Sequence, residues 1–342
     1  MTVLSILAAL LVLSVLVVIH EFGHYSVARL LHIGVDEFAV GMGPKLISKE
    51  HKGIRYSLRA FPIGGFCKFI GEDEELDDPR AFNNQKPWKR LLVILAGPVF
   101  NIVTAILLAI VILMSYGEIA PSTLVGQVEA NSPAQTAGLQ VNDRILAVNG
   151  QFYETTDEMI AAITAAGVNE MTLTIEREGQ QQELQLTPFY DEEAQRPRIG
   201  ISFGMERVRY NFLDSVKYSV TFAVSFITEL ISFLGNLFFR GQGANDIMGP
   251  VGTIGMISQV AQQGFENLLR FAILISINLG VMNLIPFPAL DGSRALFLIV
   301  EWIRGKPINR DREGMIHFIG LVVLMLIMLF FTYKDIVRLF IK

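Results

Sequence analysis

Charge is scarce in this chain and cysteine nearly absent. Asp, Glu, Lys and Arg make up 18% of the 342 residues, where a soluble globular chain carries about 25%. A membrane protein is indicated before any motif is read. The net charge is -5 and no basic stripe is present; phosphates would go unneutralised, which excludes nucleic acid as a partner. Cys67 is the single cysteine. It excludes an intrachain disulfide and a multi-thiolate zinc site, and leaves the redox compartment open. No Lys or Arg precedes Arg29, and no small-residue cleavage site follows the first apolar run, Val3 to Ile19. A cleaved secretory signal needs both, so Val3–Leu31 reads as a retained helix entering the membrane from outside. The spans show no internal repeat, which argues against a transporter built from duplicated halves.

Apolar runs are what the chain has in abundance. Leu91–Ser115 carries no charge and is long enough to span, with Gly97, Pro98 and Asn101 in its first third. A polar Asn at that depth faces protein or water rather than lipid. Leu268–Leu290 and Gly314–Thr332 are further spans, the former broken near its end by Pro286 and Pro288. The apolar stretch 206–240 contains Lys217 and Glu229 and reads as an interfacial amphipathic helix, because another crossing would invert everything downstream. Basic residues cluster around 45–90 and 304–312, and the positive-inside rule places both in the cytoplasm. Four spans then put both termini and the charged, turn-rich region 118–205 outside. Residues 32–90 are mixed, with Gly and Pro punctuating short runs such as IRYSLRAF and FCKFI, which read as β-hairpins. The expected fold is an α-helical membrane protein with about four transmembrane helices, a membrane-associated β-hairpin region and one extracytoplasmic α+β domain. The expected divisions are 1–116, 117–205, 206–265 and 266–342.

Chemistry enters with His20-Glu21-Phe22-Gly23-His24, an H-E-x-x-H motif. On a helix, residues i and i+4 share a face, so two imidazoles can bind one Zn2+. Glu21 lies beside the metal without ligating it and can act as general base toward water. Ionisable residues at the end of a span are costly and functional by default; the bland alternative is side chains that only snorkel to headgroups. A catalytic zinc needs a third protein ligand, for which Asp291, Glu229, Glu301, Asp246 and His317 are candidates. Asp291 is the best. It ends a span running in the same direction as the first, and proline-broken backbone at membrane depth lines protein or a wet cavity.

HEFGH, AGPVFN (96–101) and NLIPFPALDG (283–292) together resemble the site-2 protease family of intramembrane metalloproteases, of the bacterial regulator of sigma-E protease type. The resemblance covers nearly the whole chain. It implies His20, His24 and Asp291 as zinc ligands, Glu21 as the catalytic base and Asn283 as a substrate-holding residue. It also implies a membrane-associated β region at about 33–71, including GMGP (41–44) and PIGG (62–65). A helix in lipid has its peptide groups hydrogen-bonded and must be unwound before cleavage. An exposed β-edge around Gly64 and Gly65 would hold the unwound strand by backbone pairing. The expected substrates are anti-sigma factors, other single-pass membrane proteins or remnant signal peptides. Cleavage would follow a first cut by a site-1-type protease, in contact with lipid at the bacterial inner membrane.

VGQVEANSPAQTAGLQVNDRILAVNG (125–150) resembles the PDZ family. Residues 156–166 would be its groove helix, 172–188 a hairpin, and 198–204 the peptide-binding loop, with amides around Ile199, Gly200 and Ile201 receiving a carboxylate or backbone. A purely steric filter is the plainer reading. The rival to an enzyme is a PDZ-bearing membrane scaffold or chaperone without catalysis. The complete set His20, Glu21, His24 and Asp291 counts against it.

Overall fold

A computed structural model describes residues 2–72, 74, 76–153, 155–243 and 247–340. The chain divides into two units, one of Met1–Ile112 with Asn211–Lys342 and one of Leu113–Tyr210.

The first unit opens with α1 (Val3–Leu30), a helix started by a capping box in which Thr2 and Ser5 satisfy each other's backbone N–H. After it, β1 (Val35–His51) and β2 (Ile54–Phe69) make a single long hairpin rather than several. The hairpin folds on itself because Gly41, Gly43 and Gly64 adopt positive φ, which residues with a Cβ resist. Residues 37–40 therefore lie between two stretches of β2: 65–68 running opposite, and 55–58 aligned in the same direction. Buried Glu37 sits at the centre of this small sheet. It accepts from Ser57 at 2.6 Å and Arg59 at 2.8 Å, with Lys45 at 3.3 Å. Next comes α2 (Pro87–Ser115), which holds Pro98 inside it.

The second unit is α+β. Its elements are β3 (Glu118–Val128), α3 (Pro133–Thr136), β4 (Arg144–Val148), β5 (Gln151–Phe152), α4 (Thr156–Ala165), β6 (Met171–Arg177), β7 (Gln180–Leu186), β8 (Phe189–Asp191), β9 (Arg196–Arg198) and β10 (Ile201–Val208). The main sheet runs β10-β3-β4-β6-β7, with β5 on β4. Alternate residues Met171, Leu173 and Ile175 of β6 point into a core that also takes Met159 and Ile163 of α4, as period-two and period-3.6 patterns require. Asp143 is buried and gripped by Arg177 through two 2.7 Å bonds.

The first unit resumes with α5 (Phe212–Arg240), α6 (Pro250–Gln262), α7 (Phe265–Leu284), α8 (Asp291–Arg304) and α9 (Arg310–Phe340). The expected span to Leu290 stops at Leu284. Pro286 and Pro288 cannot continue a helix, and the residue before a proline avoids the helical region. Asp291 accordingly opens α8 instead of closing a span. Five helices among the described residues, α1, α2, α5, α7 and α9, are long and apolar enough to cross a membrane, one more than the sequence count. The addition is α5, whose Lys217 and Glu229 do not interrupt it. Buried Asp335 of α9 caps α6 by accepting from Gly249 at 3.2 Å and Gly252 at 2.7 Å.

Two pairs of contacts orient the helices. Ala9 of α1 shares an apolar cluster with Leu268 near the start of α7, and His20 further along α1 meets Asp291 just past the end of α7. The two helices run the same way. Conversely, α2 meets His24 at Val93 and His20 at Asn101, so it runs opposite to α1.

Candidate metal centre

One turn of α1 separates His20 from His24, and both imidazoles are buried on the same face. The turn after α7 brings Asp291 to them. His20 Nε2 lies 3.0 Å and His24 Nε2 3.4 Å from Asp291 Oδ2, and the two Nε2 atoms are 3.2 Å apart. Ligands about 2.0–2.1 Å from one tetrahedral Zn2+ stand roughly 3.3 Å from each other. The triangle has those dimensions.

Protons on the far ring nitrogens decide whether the near ones are free. His24 Nδ1 lies 2.8 Å from the Val93 carbonyl oxygen, which can only accept, so Nδ1 carries the proton and Nε2 offers its lone pair. His20 Nδ1 faces the Asn101 amide at 3.2 Å, while Asn101 Oδ1 is buried without a partner. Turning the amide over, an assignment made from the hydrogen-bond network, lets Oδ1 accept from His20 Nδ1–H, the tautomer that leaves Nε2 free. Three lone-pair atoms then converge within 3.4 Å, and Asp291 Oδ2 is buried with no hydrogen-bond donor. Such an arrangement fits a cation. Gly97 fits it too: a Cβ there would fall on His24 Nε2 and 2.8 Å from His20 Nε2.

Glu21, half-buried next to His20 in the chain, accepts from the Cys67 peptide N–H at 3.0 Å. Cys67 belongs to the outer stretch of β2, beside Gly65, whose Cβ position lies 3.6 Å from Glu21 Cγ. Glu72 accepts the next outward N–H, that of Phe69, at 3.2 Å and pairs with Arg294 of α8 at 2.6 Å. A cavity of about 310 Å3 lies beside Asp291, and a larger one of about 530 Å3 shares Arg294 and His317 with it.

Other sequence candidates fall elsewhere. Glu301 pairs with Arg90 at 3.0 Å, Glu229 is exposed on α5, and His317 accepts a backbone N–H. Asp246 lies outside the described residues. Asn283 is on the last turn of α7, half-buried, its side chain without a hydrogen bond among the described residues. Gly64 sits at the bend of β2. Ile199, Gly200 and Ile201 belong to the second unit, where Ala134 N–H and Glu129 N–H take the carbonyls of Ile199 and Gly200, and Ile201 begins β10. Sequence reasoning marked Asn101 as polar at membrane depth without a role and assigned none to Gly97. The Val93 carbonyl and Cys67 amide are backbone groups and leave no signal in residue type.

A sequence profile of peptidase family M50 matches residues 8–327. The chain belongs to this family. It is 36% identical to a Clostridium acetobutylicum protein named as a candidate zinc metalloprotease, covering 98% of each chain. It is 29% identical to the regulator of sigma-W protease RasP of Bacillus subtilis, over 99% of this chain and 100% of that one. The RasP zinc metalloprotease of Bacillus licheniformis is 30% identical over 98% and 99% of the two chains. Among solved structures, the PDZ domain of an SdrC-like protein of Listeria monocytogenes matches 25% of this chain and 88% of its own, at 20% identity and a TM-score of 0.22. As an M50 peptidase, the chain is a membrane-embedded metalloendopeptidase of the site-2 type.

Proposed function

We propose that this chain hydrolyses peptide bonds in membrane-spanning substrates, anti-sigma factors or remnant signal peptides, with Zn2+ held by His20, His24 and Asp291. The observation that carries the reading is the convergence of those three ligand atoms within 3.4 Å, next to a carboxylate that is not one of them. Bound zinc supplies Lewis acidity and water with a pKa near about 7. Glu21 takes a proton from the attacking water as its oxygen bonds to the peptide carbonyl carbon. It then delivers that proton to the leaving nitrogen as the C–N bond breaks. Val93 and Asn101 hold the imidazoles in the tautomer that leaves both Nε2 atoms free. The cavity beside Asp291, and the larger one that shares Arg294 and His317 with it, offer a route for the water that a bilayer lacks.

Substrate backbone would pair with the outer edge of β2 at Gly64 and Gly65, and Asn283 would help hold it. The PDZ-like unit filters substrates, either at Ile199–Ile201 or by bulk, on the outer side of the bacterial inner membrane. The parallel course of α1 and α7 supports four crossings: α2 returns the chain to the side on which α7 must start, so α5 lies along the membrane and does not cross it. Zinc analysis with cleavage of a reporter helix in detergent tests the central reading. The parent should bind one zinc and cut; Glu21→Gln should keep the zinc and lose activity by about 10^2- to 10^4-fold. A parent chain without zinc would overturn the proposal.

A further inference from the structure

The third ligand follows a tight turn, closed by Leu290 N–H donating to the Phe287 carbonyl at 3.0 Å, with Pro288 and Ala289 at its centre. Ala289, two residues before Asp291, has φ +82, a left-handed conformation that a residue with a Cβ resists. The turn's own bond offsets part of that strain, and a contact from outside the loop offsets more of it. The partner is on α9, in the last span. Ala289 N–H donates to His317 Nδ1 at 3.1 Å. One turn on, Gly320 lets the same face of α9 close on the loop: a Cβ at 320 would collide with the Pro288 ring and come 2.5 Å from its carbonyl oxygen. The His317 ring is steadied from α8 by Phe297, edge to face at 5.6 Å. Only an acceptor at Nδ1 meets the strained amide, so Nε2 carries the proton; it is buried and makes no hydrogen bond, with the Glu313 carboxylate 3.9 Å away, beyond hydrogen-bond reach. A buried donor left unused argues that the ring is placed there for its other nitrogen.

We propose that His317 is a positioning residue for the metal centre: by accepting the Ala289 N–H it holds the 286–290 loop in the one shape that presents Asp291 to His20 and His24. It touches neither substrate nor metal. The proposal rests on the reading of the three residues as zinc ligands, and it makes zinc affinity depend on a residue of the last span that no metal-binding motif contains.

His317→Asn keeps an acceptor atom where Nδ1 stands, and His317→Phe keeps a ring against Phe297 without one. Zinc affinity of the full detergent-solubilised chain, measured by competition with a chromogenic chelator, should fall about tenfold or more in His317→Phe and return to near the parent value in His317→Asn. Hydrogen exchange over 285–291 supplies a readout independent of zinc: it should accelerate in His317→Phe and not in His317→Asn. Size-exclusion profiles matching the parent identify folded variants. If His317→Phe misfolds, Gly320→Ala, which presses on Pro288 from the same helix face, should show the same loss and acceleration. Unchanged affinity and exchange in a folded His317→Phe would overturn the proposal, as would a His317→Asn that behaves like it. A parent that binds no zinc overturns the ligand reading, and the exchange comparison then still decides whether His317 holds the loop.

Discussion

The peptide N–H of Cys67 on β2 donates to the Glu21 carboxylate on α1 at 3.0 Å. It joins the base proposed for catalysis to the strand edge proposed for substrate pairing. Glu72 does the same for Phe69, the next outward-facing amide. Edge strands expose unpaired N–H groups that recruit other chains, and here two of them are occupied by carboxylates. A substrate strand adding at Gly64 and Gly65, as proposed, would therefore dock immediately beside the proposed base.

Gly97→Ala should abolish metal binding without disturbing the helices. Its new Cβ would meet His24 Nε2 and reach 2.8 Å from His20 Nε2, so it competes for the ion's own space. Zinc stoichiometry should fall toward zero in a chain that still migrates as the parent. A full complement of zinc would mean that the imidazoles can turn away from Gly97.

Asn101→Leu removes the amide facing His20 Nδ1 and lets the ring proton move to Nε2. Loss of such an outer partner costs about 10- to 100-fold in metal affinity. Chelator competition checks this. His24, oriented by a backbone carbonyl, offers no equivalent side-chain target; unchanged affinity in Asn101→Leu would place the control of the His20 ring elsewhere.

Acid should loosen the β1–β2 hairpin. Burial pushes the Glu37 carboxyl up, but the hydrogen bonds from Ser57, Arg59 and Lys45 outweigh it and bring it from 4.5 to about 2. A depressed folded value means that the carboxylate's stabilisation is complete above about 4.5 and is lost as pH falls toward 2. Hydrogen exchange over 35–69 should rise through that window in the parent. In Glu37→Gln it should already be fast at pH 5 and flat below.

Reporters fused after Tyr210 and after Gly264 should report the same side of the membrane. That outcome follows if α5 lies along the surface between two crossings that begin and end as α1, α2 and α7 require. Opposite sides would make α5 a true span, as its length and composition permit, and would contradict the parallel course of α1 and α7.

Much of the site is legible in residue order because its chemistry is local. His20 and His24 share a face by helical spacing alone, and Glu21 lies between them in the chain. The prolines at 286 and 288 announce a broken backbone before Asp291. The boundary of α7 was misplaced by six residues, from Leu290 to Leu284, because apolar composition continues past the point at which proline stops helical hydrogen bonding. The β region was recognised by its glycines but not its shape, since three positive-φ bends turn two strands into four sheet segments.

What the sequence determined by itself is the membrane character and the metal motif, which rest on residue type and short-range period; it also put Asp291 first among the candidates for the third ligand. What tertiary structure alone decided is the 3.0–3.4 Å triangle, the backbone carbonyl that sets the His24 tautomer, the amide that holds Glu21 and the histidine that holds Ala289. These are contacts between segments tens to hundreds of residues apart, several through backbone atoms that every residue carries. Residue identity encodes no such partner; only packing of α1, α2, α7, β2 and α9 against one another brings the atoms within bonding reach.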